Sequence, residues 1–205
     1  VIKAAGKEAG VIGTINYRMK GKEQPAPTTT PQSYDLQRLL REMVTAGIGY
    51  AVMEVSSHAL DQDRVRACHF DAGVFTNISP EHLDYHEDME RYFAAKRRLF
   101  HELLPASSKD PWAILNLDDP LLRGLEKELP SGRRMTYGLD QGTLTAPQRA
   151  ISLTGIRATL ATPSGAMEIE SALIGEYNLY NIMAATAASI ALGIGIDYSI
   201  HFSVR

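Results

Sequence analysis

Gly49-Tyr50-Ala51-Val52-Met53-Glu54-Val55-Ser56-Ser57-His58 decides how the chain is read, together with Ala72-Gly73-Val74-Phe75-Thr76-Asn77-Ile78-Ser79-Pro80-Glu81-His82-Leu83-Asp84-Tyr85-His86. Each stretch opens on an apolar run of strand length and passes at once into hydroxyl, carboxylate and imidazole side chains. Short apolar runs of this kind read as buried strands of a parallel sheet. In open α/β sheets ligands bind at the carboxyl ends of such strands, where these polar residues fall. The stretch closes on Tyr92-Phe93-Ala94-Ala95-Lys96, within a segment from Met89 to Leu104. There Tyr92, Phe93, Leu99, Leu103 and Leu104 have the spacing of a helix packed on a sheet.

Outward from this centre the same alternation continues. Val11 to Ile15 reads as a strand, followed by a polar loop rich in Lys, Gly and Pro that ends in Pro27-Thr28-Thr29-Thr30-Pro31. Gln32 to Ala46 carries Tyr34, Leu36, Leu39, Leu40, Met43 and Val44 at helical spacing, with Gly47 past its end. A short helical or looped piece is expected from Ser56 through Arg66. Trp112-Ala113-Ile114-Leu115 is another buried strand, and a helix starts after Asn116-Leu117-Asp118-Asp119-Pro120; a further strand is expected at Arg134 to Gly138. From Gly142 to Leu173 alternating residues turned by Pro163-Ser164-Gly165 predict antiparallel strands, and an alanine-rich helix follows from Tyr177 to Leu192. This order predicts an α/β domain with a mostly parallel sheet flanked by helices and a small antiparallel edge. Val1 to Gly6 reads as the tail of a helix capped by Gly6, so a piece of a longer protein is expected.

Composition narrows the class. The 205 residues can bury a full core, and 44% hydrophobic with 22% charged residues is ordinary for a globular protein. A net charge of −3 argues against broad nucleic-acid binding. The single cysteine, Cys68, has no internal disulfide partner, which fits a reducing compartment, and it reads as a small half-buried residue before a strand. No apolar run reaches bilayer-spanning length, and a cytoplasmic location is expected.

Several side chains carry chemistry, each with two readings. Glu54 suits Mg²⁺, which favours hard oxygen ligands, or else caps the following turn. His82 and His86, four apart, invite a zinc reading, but no cysteine pair completes a site and loop histidines more often serve hydrogen bonds. Lys96 is one of a basic run, a pattern typical of a solvated helix face. Thr28-Thr29-Thr30 offers an anion site at a helix start or a plain N-cap. Asn178 and Asn181, one turn apart, read a purine edge or bond a neighbouring loop.

In order and spacing, Glu54-Val55-Ser56-Ser57-His58-Ala59-Leu60, Thr76 to His86, Tyr92 to Lys96 and Gly175-Glu176-Tyr177-Asn178-Leu179-Tyr180-Asn181 resemble motifs of the Mur ligase family. The Ser-Ser-His form and the Thr-rich loop most resemble the branch that adds the third residue of the peptidoglycan stem peptide. The resemblance implies an ATP-dependent acid–amino-acid ligase that works through an acyl phosphate. It also implies that residues 1–195 are an incomplete central ATP-binding domain lacking its first strand and P-loop, with 196–205 an unassigned tail. Glu54, His82 and Lys96 would be catalytic and serve Mg²⁺, Lys96 as a carbamate. Thr29, Thr30, Ser56, Gln62 and Arg64 would bind the UDP-N-acetylmuramoyl-dipeptide, and Asn178, Asn181 and Asn116 would bind ATP. The third substrate would be an amino acid, diaminopimelate or lysine. The parent is expected to be a monomer in cell-wall synthesis; the fragment alone is expected to be inactive and, with its sheet edges bared, to self-associate. The alternatives are a related amide ligase such as folylpolyglutamate synthase, or a binding module without catalysis.

Overall fold

A computed structural model describes residues 1–130, 132–194 and 199–202. Most of the tail expected at 196–205 lies outside the described residues. Contacts divide the chain into two compact units, one of Ile2–His69 with Pro80–Ala106, the other of Val1, Phe70–Ser79 and Ser107–Arg205.

The first unit holds β1 (Ala9–Ile12), β2 (Asn16–Met19), β3 (Lys22–Pro25), α1 (Ser33–Thr45), β4 (Tyr50–Met53), α2 (Ser57–Asp61), α3 (Leu83–His86) and α4 (Met89–Arg98). Its sheet runs β3-β2-β1-β4, with β4 parallel to β1 and Ile12 opposite Met53. The polar loop expected after β1 is instead a hairpin of β2 and β3. Lys20 and Gly21 at its tip both have positive φ, 49° and 73°, as a two-residue hairpin turn requires. Glycine adopts that conformation freely; a lysine beside it hides the signal that Asn-Gly would give. At the other edge, β4 was expected to be buried, yet Ala51 and Val52 are exposed, Val52 to 49%. An edge strand covers less of itself than a central one.

Helix α1 forms as its spacing predicts and buries Leu36, Leu39 and Met43. Tyr34 and Val44, expected on that face, stand 79% and 63% exposed. Gly47 ends the helix at φ +76°. The Met43 sulfur lies 2.3 Å from where a Cβ on Gly10 would stand, so the missing side chain lets α1 settle on β1. Helix α4 runs into a π-helical turn, Leu99–Leu103, with Leu104 N donating to Leu99 O. Ahead of β1, Lys7 N donates to Ile2 O and Gly6 N to Lys3 O, with Gly6 at φ +69°. That is the bonding of a glycine-capped helix end, as expected.

The second unit holds β5 (Ala72–Phe75), β6 (Trp112–Asn116), α5 (Pro120–Glu128), β7 (Arg134–Tyr137), β8 (Thr145–Ser152), β9 (Gly155–Thr162), β10 (Gly165–Ser171), α6 (Glu176–Ala191) and β11 (Ser199–Phe202). Strands β5-β6-β7 form an all-parallel sheet with β6 central. Ala113 to Asn116 of β6 are all buried, the pattern expected of a strand covered on both faces. The antiparallel strands form a sheet of their own, ordered β11-β10-β9-β8, rather than a small edge. Ile114, Met135 and Tyr137 share a buried cluster with Ile156, Leu160 and Ile169 of that sheet and with Leu179, Ile182 and Met183 of α6.

Gly155 opens β9 at φ +139°, and a Cβ there would lie 2.2 Å from the Ser171 carbonyl oxygen. Gly155→Ala combines backbone strain with a clash against backbone that has no rotamer to yield. We expect a loss of roughly 3 kcal/mol or more, read as a thermal midpoint lowered by about 10 °C. A midpoint within about 2 °C of the parent would contradict the geometry.

Candidate active site

The first unit gathers eight of the sequence-derived site residues. Glu54 leaves β4 with its N–H donating to Ile12 O, which extends the β1–β4 ladder to the strand end. Its Oε2 accepts hydrogen bonds from Thr14 N at 3.2 Å and Thr14 Oγ1 at 2.8 Å. The Thr14 hydroxyl in turn lies 3.1 Å from Thr29 Oγ1. Thr30 is buried; its hydroxyl donates to Glu54 O at 2.8 Å and accepts from Ser56 N at 3.0 Å. The Thr-rich loop is thus stitched to the end of β4 through side chain and backbone together.

Ser56 caps α2, accepting from Ala59 N at 3.2 Å. Beyond that helix, Arg64 Nη1 donates to Thr30 O at 3.0 Å, and its Nε and Nη2 donate to Gln62 Oε1 at 3.0 and 2.6 Å. Gln62 Nε2 donates to Tyr85 Oη at 3.2 Å, and Tyr85 Oη donates to Asp61 Oδ2 at 2.7 Å. Five predicted substrate residues, Thr29, Thr30, Ser56, Gln62 and Arg64, therefore belong to one hydrogen-bonded network.

The Tyr85 ring packs on His58 with centroids 4.1 Å apart, and His58 meets His82 at 4.9 Å and His86 at 5.5 Å. Helix α3 is a single turn bracketed by His82 at φ 56° and Glu87 at φ 70°, both left-handed. Holding non-glycine residues there costs on the order of 1–2 kcal/mol each, and such strain collects at functional sites. The His82 ring is 6.2 Å from Tyr92 of α4, and Lys96 Nζ lies 4.9 Å from the centre of the same Tyr92 ring. Glu54, His82 and Lys96 are thereby joined by a continuous path of contacts. Burial holds the His58 imidazole below its ordinary pKa, helped by His82, His86 and Arg64 and opposed by Asp84.

Among the described residues no group of three His, Cys, Asp or Glu is arranged to hold a metal ion. The zinc reading of the histidines gains nothing from the packing: the imidazoles meet as rings, and His86 Nε2 is taken by Ser57 Oγ at 2.9 Å. A magnesium ion asks for less. It keeps several waters and uses one or two carboxylates, and Glu54 beside the Thr14 and Thr29 hydroxyls is a hard-oxygen donor set of that kind. The residues fit it.

The sequence reading passed over Thr14, His58, Asp61 and Tyr85. Thr14 follows a strand that ends at Ile12, and nothing local marks its tie to Glu54 forty residues on. Tyr85 stands one turn past His82, which was a readable hint.

The three predicted ATP residues lie in the second unit. Asn116, at the end of β6, is buried; its Nδ2 donates to Thr76 O at 2.9 Å and its Oδ1 accepts from Asp118 N at 3.0 Å. Both ends of that amide brace the strand terminus. On α6, Asn178 Nδ2 donates to Ile174 O at 2.8 Å, the loop bond that was one of its two readings. Asn181 Nδ2 reaches Asn178 Oδ1 at 3.4 Å, and Asn181 is exposed.

Asp118 binds these elements together, accepting from Leu139 N at 2.6 Å, Gln141 Nε2 at 2.8 Å and Tyr180 Oη at 3.0 Å. Burial raises its pKa, but the bonds from Gln141, Leu139 and Tyr180 outweigh that and hold it below the usual carboxylate value. Asp118→Asn turns one acceptor into a donor facing donors, at a cost of about 2 kcal/mol. A group with a depressed folded pKa stabilises above its unfolded pKa and loses that contribution as pH falls through the folded value. Urea unfolding should therefore show the full gap between parent and variant at neutral pH, closing below about pH 4. A gap independent of pH would contradict the charge-based account.

A parallel α/β unit and a hydroxyl, carboxylate and guanidinium network at a strand end define a ligand-binding α/β protein. The chain belongs to the Mur ligase family, whose middle domain matches residues 1–189. It is 48% identical over 200 residues to UDP-N-acetylmuramoyl-L-alanyl-D-glutamate--2,6-diaminopimelate ligase of Geobacter metallireducens, spanning 96% of this chain and 39% of that protein. To the ligase of the same name from Geobacillus thermodenitrificans it is 41% identical over 199 residues, 96% of this chain and 40% of that one. A solved structure of a ligase with this name superposes with a TM-score of 0.81 at 30% identity, over 96% of this chain and 40% of that one. A MurF ligase from Thermotoga maritima in complex with ADP shares the fold, with a TM-score of 0.66 at 14% identity, over 96% of this chain and 42% of its own. The chain thus spans about two fifths of the length of the curated relatives it matches.

Proposed function

We propose that this chain is the central part of a cytoplasmic, ATP-dependent ligase that joins 2,6-diaminopimelate to UDP-N-acetylmuramoyl-L-alanyl-D-glutamate in peptidoglycan precursor synthesis. The single observation that carries the reading is the network from Glu54 through Thr29, Thr30 and Ser56 to Arg64 and Gln62. It puts hydroxyls, a carboxylate and a guanidinium at one strand end, the donor set an anionic substrate and its activating cation require. The identity to ligases named for this reaction supports the choice of substrates.

In this reading the D-glutamyl γ-carboxylate takes a phosphoryl group from ATP, and the amine of the third amino acid displaces phosphate to form an amide. When bound, Mg²⁺ neutralises charge on the phosphoryl and carboxylate oxygens, and Glu54, His82 and Lys96 as its carbamate would hold it. Arg64 commits three of its five N–H donors to Thr30 and Gln62, leaving two for a substrate carboxylate. Thr29, Thr30 and Ser56 offer hydroxyls around the same ligand. Asn178 and Asn181 would serve the adenine of ATP, with Asn116 bracing the loop beneath.

The test is an ADP-release assay on the full-length protein with the nucleotide-sugar dipeptide, ATP and Mg²⁺. Release should require the dipeptide and be stimulated by diaminopimelate far more than by lysine. Release driven by a folate in place of the dipeptide, or indifferent to both, would overturn the proposal.

A further inference from the structure

Arg64 can orient a carboxylate only if its guanidinium plane is fixed, and the side chains that fix it lie outside the assigned substrate residues. The Gln62 amide has two orientations, related by exchanging oxygen and nitrogen. In the one present, Oε1 faces Arg64 Nε and Nη2, while Nε2 faces Tyr85 Oη at 3.2 Å. The Tyr85 hydroxyl has one proton, and the Asp61 carboxylate takes it at 2.7 Å. The phenol oxygen can then only accept from Gln62. Flipping the amide would set its oxygen against the phenol oxygen with no proton between them, and its NH₂ against the N–H groups of Arg64. Asp61 thus sets the Tyr85 rotor, Tyr85 sets Gln62, and Gln62 sets Arg64. The fourth member, Thr30 O, receives Arg64 Nη1 at 3.0 Å and completes the clamp.

We propose that Tyr85, held by Asp61, is a positioning residue for substrate: it locks the Gln62 amide and through it the carboxylate-binding fork of Arg64. This rests on the proposed role of Arg64. Tyr85 arrives from α3, and Asp61 and Gln62 lie at the end of α2, so the lock also ties the one-turn helix that carries His82 to the substrate side of the site. The ring of Tyr85 packs on His58 without its hydroxyl, so removing the oxygen alone leaves that contact in place.

The experiment uses the full-length ligase with Tyr85→Phe, Asp61→Ala, Arg64→Lys and the Tyr85→Phe/Arg64→Lys pair. Steady-state kinetics are measured in the nucleotide-sugar dipeptide and in ATP, with thermal midpoints alongside. Tyr85→Phe should raise KM for the dipeptide about tenfold, the equivalent of one charge-assisted hydrogen bond. Its kcat and its KM for ATP should stay within about twofold, and its midpoint near that of the parent. Asp61→Ala should move KM in the same direction, because the freed phenol proton then competes for the flipped amide. Arg64→Lys should raise KM more, and Tyr85→Phe should add little on top of it, since the two act through one group. If Arg64→Lys leaves KM unchanged, the carboxylate role of Arg64 fails and the lock fails with it. If Arg64→Lys raises KM while Tyr85→Phe and Asp61→Ala do not, the lock alone is wrong. Additive effects in the pair, or a KM rise that follows a fallen midpoint, would make Tyr85 merely structural and overturn the proposal.

Discussion

Lys96→Ala in the full-length ligase is expected to abolish ligation, lowering kcat by at least about 10³, or roughly 4 kcal/mol of transition-state stabilisation. The fold should not notice. Lys96 sits on α4 next to Ala94 and Ala95, alanine is the best helix former, and Lys96 is only half-buried. The lost contact is that of Nζ over the Tyr92 ring at 4.9 Å, worth about 0.5–1 kcal/mol. What disappears is the amine. In the proposed role Nζ takes up CO₂, forming an N–C bond and releasing a proton, so a cation that would repel Mg²⁺ becomes an anion that supports it. Alanine has no nitrogen to modify, and added bicarbonate should restore nothing. The measurement is amide product formed per enzyme, with circular dichroism as the folding control. Near-normal turnover by a folded Lys96→Ala enzyme would remove the carbamate role.

The position of Lys96 also shows what sequence can and cannot carry. Read alone, a lysine among Arg97 and Arg98 is a solvated basic face, and only the resemblance assigns it chemistry. The structure then places its amine on the Tyr92 ring, one contact from His82. The strands β6 and β7 and helices α1, α5 and α6 were legible because burial imposes a period on the sequence, as in Leu36, Leu39 and Met43 of α1. The β2–β3 hairpin was not. Its strands are short and, β3 above all, exposed, as Lys22 to Pro25 show, so no apolar period exists to read. The same physics misplaced Val52. An apolar run states that a strand avoids water in the finished protein, not which neighbour covers it, and β4 lies at the edge of its sheet.

The site divides along a similar line. Glu54, Ser56 and His82 follow strand ends, where a chain-order reading expects chemistry. Thr14, Asp61 and Tyr85 act by reaching across the fold. Their partners are 40, 24 and 24 positions away, Glu54 for Thr14 and each other for the last two. Pairing at that range leaves no local trace in a single sequence. The left-handed backbone of His82 is equally silent, because the strain is imposed by its surroundings rather than chosen by the residue.

Glu54→Gln isolates charge from shape at this site and carries the second large effect. The amide oxygen of glutamine can accept the same bonds from Thr14 N and Thr14 Oγ1, so the loop should hold its form and stability should move by less than about 1 kcal/mol. The backbone bond from residue 54 N to Ile12 O and the bond from Thr30 Oγ1 to its carbonyl do not involve the side chain at all. The substitution removes the negative charge and exchanges a hard oxygen ligand for an NH₂ that cannot ligate. If Glu54 holds Mg²⁺, kcat should fall by about 10², some 2.7 kcal/mol, and the Mg²⁺ concentration giving half-maximal rate should rise at least about tenfold. The KM for the nucleotide-sugar dipeptide, set by Arg64 and its lock, should stay within about threefold. Titrating Mg²⁺ at saturating ATP and dipeptide separates these quantities. An unchanged Mg²⁺ dependence with a raised dipeptide KM would transfer Glu54 from the cation to the substrate, because its only remaining reach is through Thr14 to Thr29.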